Sequence, residues 1–328
     1  MRPFDYQRPL TVGSAVAAAG ADADVMYLAG GTNLVDLMRL GVLCPGTLVD
    51  VTHAVPATVE ETSGGGLRVG AGVRGSDLAA HPLVRARYPV LAEAMLAGAS
   101  GQLRNMATVG GNLLQRTRCS YFQDVTKPCN KRSPGSGCPA RSGDHRNLAI
   151  LGHSESCVAT HPSDLAVALA ALGALVHVEG PGGTRQVPMP GLHRLPGDDP
   201  ARDTVLSPGE LITAVELPPL PLAARSAFRK ARDRASFSFA VVAVAAALEV
   251  DDGVVRDCRV ALGSVAHVPW RAETAEAALR GAPATEERFA LAADAELERA
   301  RPLPLNGYKV PLARNLMVRT LAGLAGAR

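Results

Sequence analysis

Two kinds of residue in this chain have types and spacing suited to chemistry. The first is a set of four cysteines, Cys119, Cys129, Cys138 and Cys157, in one stretch rich in Gly, Pro and Arg. Nine, eight and eighteen residues separate them, and turn formers surround them: Pro128, Pro134, Gly135, Gly137 and Pro139. The second is a pair of Gly-Gly turns, Gly30-Gly31 followed by Thr32 and Asn33, and Gly110-Gly111 followed by Asn112. The cysteine stretch begins just after the second turn and ends just before the run His-Pro-Ser-Asp-Leu-Ala at 161–166. That order suggests a metal site wired to a bound cofactor. Little of the cysteine stretch has the composition of a packed core.

Three thiol chemistries compete. Structural zinc usually takes a close cysteine pair with two to four intervening residues, and none is present. Two disulfides would require maturation in an oxidising compartment. An iron–sulfur cluster needs four thiolates converging from an irregular loop, with cations to offset its negative charge. Arg116, Arg118, Lys127, Lys131 and Arg132 supply the cations, so this reading leads and the other two stay open. His145, His153 and His161 could each replace a thiolate, but four cysteines already complete a cluster, which leaves the histidines as polar neighbours. Cys44 and Cys258 stand alone in apolar surroundings and are expected to be buried small hydrophobes.

A Gly pair proves nothing by itself, since at this composition about three arise by chance and the chain has five. Context decides. Asp24 to Ala29 reads as an apolar strand, the Gly-Gly-Thr-Asn turn follows, and Leu34 to Leu40 reads as a helix. A strand–turn–helix of this kind points backbone N–H groups and a positive helix end at one spot, as pyrophosphate binding requires. Thr108 to Leu113 repeats the pattern. Neither turn is a GxGxxG fingerprint, so a Rossmann site is not expected.

The elements that must position these residues follow a coarse rhythm. Leu48 to Val51 and Leu67 to Ala71 read as strands, the latter after a turn at Gly64 to Gly66. Ser76 or Asp77 caps a helix, and another runs from Tyr88 to Ala97. This alternation indicates an α/β unit over about the first 180 residues. Ser163 is an N-cap for a helix with Leu165, Ala168, Leu169 and Leu172 on one face, and a strand continues from Ala174 to Val178. Pro181 to Pro208 reads as a connector. Beyond it, a strand meander with a turn at Asp251 to Gly253 precedes three helices, at 272–280, 286–299 and 312–324.

At 328 residues, 47% apolar and 20% charged, the chain has the make-up of a folded protein of two or three domains. A formal charge of +3 gives no basic face of the kind nucleic acid needs. The opening MRPFDYQRPL lacks an apolar h-region, so no secretory signal is expected in this chain. The apolar run from Ala235 to Leu248 is too short for a membrane span.

Several segments together carry a family resemblance. Phe-Asp-Tyr-Gln-Arg-Pro near the start, Leu-Ala-Gly-Gly-Thr-Asn-Leu at 28–34, Arg-Asn-Met-Ala-Thr-Val-Gly-Gly-Asn-Leu at 104–113, Pro-Ser-Asp-Leu-Ala at 162–166 and Phe-Arg-Lys-Ala-Arg at 228–232 resemble the FAD-binding medium subunit of the molybdenum hydroxylases, the xanthine dehydrogenase family. The resemblance implies an α+β fold: a two-subdomain PCMH-type FAD-binding domain at 1–55 and 56–218, then a C-terminal domain of the CO dehydrogenase flavoprotein type at 219–328 with an antiparallel meander and helices. The cysteine insertion, at about 114–160, is similar to that of the FAD subunit of bacterial three-subunit aldehyde oxidoreductases, whose four cysteines hold a [4Fe-4S] cluster near the flavin.

By position, the resemblance makes Met26, Tyr27, Leu28, Ala29, Gly30, Gly31, Thr32, Asn33 and Leu34 the first pyrophosphate loop, and Thr108, Gly110, Gly111 and Asn112 the second. Asp164 would meet the flavin or its ribityl chain, and Lys230 would reach it from the C-terminal domain. Both have plainer readings: Asp164 as a complement to its helix dipole, and Lys230 as one of a solvated basic group with Arg225, Arg229, Arg232 and Arg234. Cys119, Cys129, Cys138 and Cys157 would ligate the cluster.

The implied partners are a large subunit with the molybdenum cofactor, where the substrate aldehyde is oxidised, and a small subunit with two [2Fe-2S] clusters. Electrons would pass through [4Fe-4S] and FAD to an external acceptor, and no catalytic acid or base is expected in this chain. The implied location is the periplasm, reached on a partner's export signal, with the cytoplasm as alternative. Other readings are the FAD subunit of another molybdenum hydroxylase, of hydroxybenzoyl-CoA reductase or xanthine/CO dehydrogenase type, and a stand-alone flavin oxidase.

Overall fold

Three sheets organise residues 1–326, which the computed structural model describes; the last two residues of the expected C-terminal domain lie outside the described residues. In the first sheet β1 (Asp5–Gln7), β2 (Val25–Leu28) and β3 (Thr47–Asp50) run parallel, with β3 in the centre. Helices α1 (Val12–Ala19) and α2 (Leu34–Arg39) make the crossovers that parallel neighbours require. Gly31, at φ 72°, turns the chain from β2 toward α2 in a conformation that residues with a Cβ rarely adopt.

The second sheet is antiparallel. It comprises β4 (Val59–Glu61), β5 (Leu67–Gly70), β6 (Leu175–Gly180), β7 (Gly183–Pro188) and β8 (Leu211–Leu217), in the order β4-β5-β8-β6-β7. The expected single α/β unit over 180 residues is therefore corrected: parallel pairing stops at Asp50. The tight turn at Gly64 to Gly66 makes β4 and β5 a hairpin, and a hairpin joins only antiparallel strands. The supposed connector at 181–208 supplies β7, and β8 beyond it is the central strand. Between β5 and β6 come α3 (Gly75–Ala80), α4 (Pro82–Arg87), α5 (Pro89–Ala97), α6 (Gly101–Arg104), α7 (Val109–Leu113), α8 (Ser120–Gln123) inside the cysteine stretch, and α9 (Asp164–Leu172); α10 (Met189–Leu192) follows β7.

The third sheet, β9 (Ser226–Ala231), β10 (Val242–Asp251), β11 (Val254–Gly263) and β12 (Trp270–Arg271), is the expected antiparallel meander, in the order β12-β11-β10-β9. Its hairpin turn places Asp252 and Gly253 at φ 49° and 73°, the left-handed pair that matches strand twist. Helices α11 (Glu273–Leu279), α12 (Glu286–Leu297) and α13 (Lys309–Ala325) belong to the same half. The last starts before the expected Leu312, because Pro311 in a first turn has no N–H to lose. No helix among the described residues is long and apolar enough to cross a membrane, and the apolar run at 235–248 leads into β10.

Alternation along β10 explains how the halves join. Ala243 and Ala245 share a core with α9 and α5, while Val242, Val244 and Leu248 join that of α11, α12 and α13. Small residues on the first face let α9 approach closely: a Cβ on Gly263 would stand 2.7 Å from Val167 Cγ2. Consequently eight of the nine residues of α9 are buried, where spacing predicts a single apolar face.

The cysteine stretch also differs from expectation. Phe122, Leu148, Val158 and Ala159 pack with Leu37 and three of the cysteines into a small core of their own. These residues are too scattered along the chain to read as a periodic run. Cys258 is buried as expected, but Cys44 is exposed.

Candidate functional site

The two Gly-Gly turns meet backbone to backbone. A Cβ on Gly30 would overlap the carbonyl oxygen of Met106, 2.7 Å from its carbon, so only glycine allows the first loop to lie against the second. Asn33 adds a clasp by accepting the Arg116 N–H at its Oδ1 (2.9 Å). Its Nδ2 is buried without a partner among the described residues. That is an orphaned donor a ligand would satisfy.

The turns do not offer the same chemistry, contrary to the expected repetition. Among the described residues no acceptor meets the N–H groups of Gly31, Thr32 and Asn33. In the second turn Gly110 N donates to Ala71 O (2.9 Å), Gly111 N to the capping Thr108 Oγ1 (3.3 Å) and Asn112 N to Thr108 O (2.8 Å). Open amides for an anion therefore belong to the first turn. The second supplies a smooth wall: a Cβ on Gly111 would meet only Thr108 Oγ1, at 3.1 Å.

Two cavities flank this junction. One, of about 300 Å³, is lined by Met26, Tyr27, Ala29, Gly30, Gly31, Thr32, Asn33, Leu34, Thr108, Gly110 and Gly111; of the residues at 26–34, Leu28 does not line it. The other, of about 620 Å³, is lined by Thr32, Asn33, Gly111, Asn112, Asp164 and Lys230 among others. Thr32, Asn33 and Gly111 are common to both, so the pair forms a bent trough of the size that cofactors occupy.

Ser163 couples the second turn to α9. Its Oγ donates to Asn112 Oδ1 (2.5 Å) and accepts the Ala166 N–H (2.9 Å) as the expected N-cap. Asp164, the next residue, takes a hydrogen bond from Lys230 Nζ at 2.6 Å, with both side chains almost fully enclosed. Lys230 also donates to Ala97 O (3.2 Å), as does Arg232 (2.9 Å), so two cations cap the negative end of α5. Burial pushes the Asp164 carboxyl above its ordinary range, and Lys230 pulls part of that back. Lys230 is thus not a solvated strand end, while Asp164 stands in the first turn of α9, where it complements the helix dipole, and is also held by an ion pair.

The loop at 232–241, which walls the larger cavity with Phe237 and Phe239, is not legible from the sequence. Arg118 lies over the Phe239 ring at 4.7 Å, and its charge loses water there, which lowers its pKa. Single aromatic residues in an irregular loop carry no periodicity by which to find them.

The four cysteines line one small chamber, together with Lys131. Backbone amides of Phe122 and Tyr121 face Cys119, yet burial dominates and raises its pKa. Cys138 is drawn down to about 6, first by the neighbouring Cys157 thiol and then, against burial, by the amides of Val158, Ala140 and Arg141; Cys157 moves up in return. Among the described residues no three His, Cys, Asp or Glu side chains are set to hold a single metal ion. The fit to a metal group rests on the donor set: four thiols around a chamber, amides aimed at them and a buried cation, which suits an anionic cluster with several iron atoms.

The expected cations divide. Lys131 and Arg116 both pair with Asp203, whose carboxyl burial would raise but which the two cations hold below its usual range. Arg132 donates to the carbonyls of Tyr121 (2.7 Å) and Phe122 (2.6 Å) and to that of Lys127, while Lys127 is exposed. His145 donates from Nδ1 to Ala140 O (3.0 Å) and accepts the Leu305 N–H at Nε2 (3.0 Å), and His153 donates to Arg301 O (2.6 Å). Three residues absent from the sequence reading lie just outside the chamber lining: Asp203 pairs with Lys131, His267 Nε2 lies 3.2 Å from Cys157 Sγ, and the His193 ring sits 4.1 Å from that of His161, tilted by 50°. Cys119 lines both the chamber and the larger cavity.

Comparison with known proteins covers the whole chain. Residues 2–220 match the model of the FAD binding domain in molybdopterin dehydrogenase, and 226–324 that of the CO dehydrogenase flavoprotein C-terminal domain. The aldehyde oxidoreductase FAD-binding subunit PaoB of Escherichia coli (strain K12) is 49% identical, over 98% of each chain. The carbon monoxide dehydrogenase medium chain of Hydrogenophaga pseudoflava is 28% identical over 97% of this chain and 96% of that one. Among solved structures, reconstituted CO dehydrogenase from Oligotropha carboxidovorans superposes with a TM-score of 0.78 over the full length of both chains, at 23% identity.

Proposed function

The chain belongs to the family of FAD-binding subunits of the molybdenum hydroxylases, and from that premise we propose that it is the electron-transfer subunit of a molybdenum-dependent aldehyde oxidoreductase, holding both FAD and a [4Fe-4S] cluster. Identity of 49% along the whole chain to an aldehyde oxidoreductase FAD-binding subunit supports the substrate class. The observation that carries the electron path is Cys119, which stands at once in the cysteine chamber and in the wall of the larger cavity. A one-electron cluster and a flavin able to exchange electrons singly or in pairs supply together the means to link a one-electron donor to a two-electron acceptor.

This chain's residues bind and position. The open amides of Gly31 to Asn33 suit the pyrophosphate, with the Gly111 wall opposite. Asp164 and Lys230 fix the floor of the larger cavity, and Phe237, Phe239 and Arg118 shield its mouth. Cys119, Cys129, Cys138 and Cys157 would hold the cluster. The molybdenum site and two [2Fe-2S] clusters are assigned to partner subunits, and the complex to the periplasm.

The test is a Cys138→Ala chain assembled with its partners, assayed for iron and flavin together. The expected result is retained FAD, loss of the iron bound by this chain and loss of the four-iron electron paramagnetic resonance signal. An unchanged four-iron signal would exclude Cys138 as a ligand. A native complex with flavin but no four-iron signal would sink the cluster assignment.

A further inference from the structure

We infer that His267, supplied by the C-terminal domain, is a hydrogen-bond donor to the Cys157 sulfur that sets the reduction potential of the group held by the four cysteines. The inference rests on the reading that this group is an iron–sulfur cluster. His267 Nε2 lies 3.2 Å from Cys157 Sγ, across 110 residues of chain, and the ring is only 7% exposed. Among the described residues its Nδ1 is buried without a partner and the contact at Nε2 is the one hydrogen bond the ring makes. A thiolate bound to iron has no proton to give, so the imidazole must donate from Nε2.

The backbone just before the ring is held by four hydrogen bonds. Val265 O accepts the N–H groups of Ile150 and Leu151, each at 2.9 Å, and Ala266 O that of His161 at 2.9 Å. Ser264 O accepts from the buried Lys309 Nζ at 2.6 Å. The segment that carries His267 is thus tied to both ends of the region around Cys157, which fixes the backbone from which the buried imidazole reaches the sulfur.

Such a donor has a directional effect. An added electron places more negative charge on the cluster's sulfurs, so a hydrogen bond to a ligand sulfur favours the reduced form and raises the potential. Lys131, the cation in the chamber, is paired with Asp203, whereas His267 meets a cysteine sulfur directly.

The test is a redox titration of the assembled complex, followed by the four-iron electron paramagnetic resonance signal, in native, His267→Leu and His267→Gln forms, with iron and FAD assayed in each. The expected result is a lower midpoint potential in the leucine variant, recovered in part by glutamine, whose amide N–H also donates, at unchanged iron and FAD. A potential that is unmoved or raised in the leucine variant overturns the inference. So does loss of iron from both variants, which would make the ring a structural support, or a fall that glutamine does not reverse, which would trace it to packing. Flavin without a four-iron signal in the native complex overturns the cluster reading itself and is recognised before any variant is compared.

Discussion

A Gly30→Val chain is expected to fold with its flavin site undone, losing FAD by at least about tenfold in affinity, or ~1.4 kcal/mol. The cause is contact between two backbones. The added Cβ would overlap the Met106 carbonyl, and the turn that carries it cannot retreat: Ala107 O accepts from Gly75 N (3.0 Å), Ala107 N donates to Leu103 O (2.8 Å) and Val109 N to Val73 O (2.9 Å). Moving either loop separates Thr32 and Asn33 from Gly111, and with them the junction of the two cavities. Overpacking of this kind also costs on the order of 1–3 kcal/mol of stability. Gly111→Ala is the control, since its Cβ meets only Thr108 Oγ1 and so obstructs a ligand without displacing the loops. Flavin absorbance per chain and a denaturant melt of each variant measure the two effects. Full flavin occupancy in Gly30→Val would show that the loops need not touch for FAD to bind.

What the sequence disclosed followed from local rules. The first Gly-Gly turn after an apolar strand, a Ser cap before a buried helix and Asp-Asp-Gly between two apolar strands each act over a few residues and formed where expected, whereas Gly110 and Gly111 lie inside α7 with no strand before them. The direction of strand pairing is not local: β8 joins β5 and β6 from well over a hundred residues beyond β5, which no window along the chain reveals. The same limit applied to the site. Four cysteines could be seen to belong together, but the unequal amide chemistry of the two Gly turns depends on Ala71, and Thr108's side chain competes for the Gly111 N–H. His267 reaches Cys157, and Asp203 reaches Lys131, only through the tertiary fold, and nothing in their sequence neighbourhoods sets them apart.

Lys230→Met should be the most destabilising single change at the site. It would leave the Asp164 carboxylate buried with its nearest cation gone, and removing one partner of a buried pair costs about 3–5 kcal/mol. The change reaches three elements, because Lys230 on β9 also holds the end of α5 through Ala97 O while Asp164 opens α9. The pH dependence identifies the cause. Burial already raises the Asp164 pKa in the folded state, and loss of Lys230 would raise it further, with only the Arg232 charge nearby to oppose this. A raised folded pKa means that the folded form binds a proton more tightly than the unfolded form, so its stability is fully present below the unfolded value and is lost as pH rises through the folded value. The variant's deficit against the native chain should therefore be largest near neutral pH and shrink on acidification. Adding Asp164→Asn should recover much of the loss and flatten its pH dependence, because an amide can be buried without a charge. Denaturant melts of the native, single and double variants across that range measure all three. A deficit in Lys230→Met that does not change with pH would show that packing of the lysine stem, and not the stranded carboxylate, accounts for the loss.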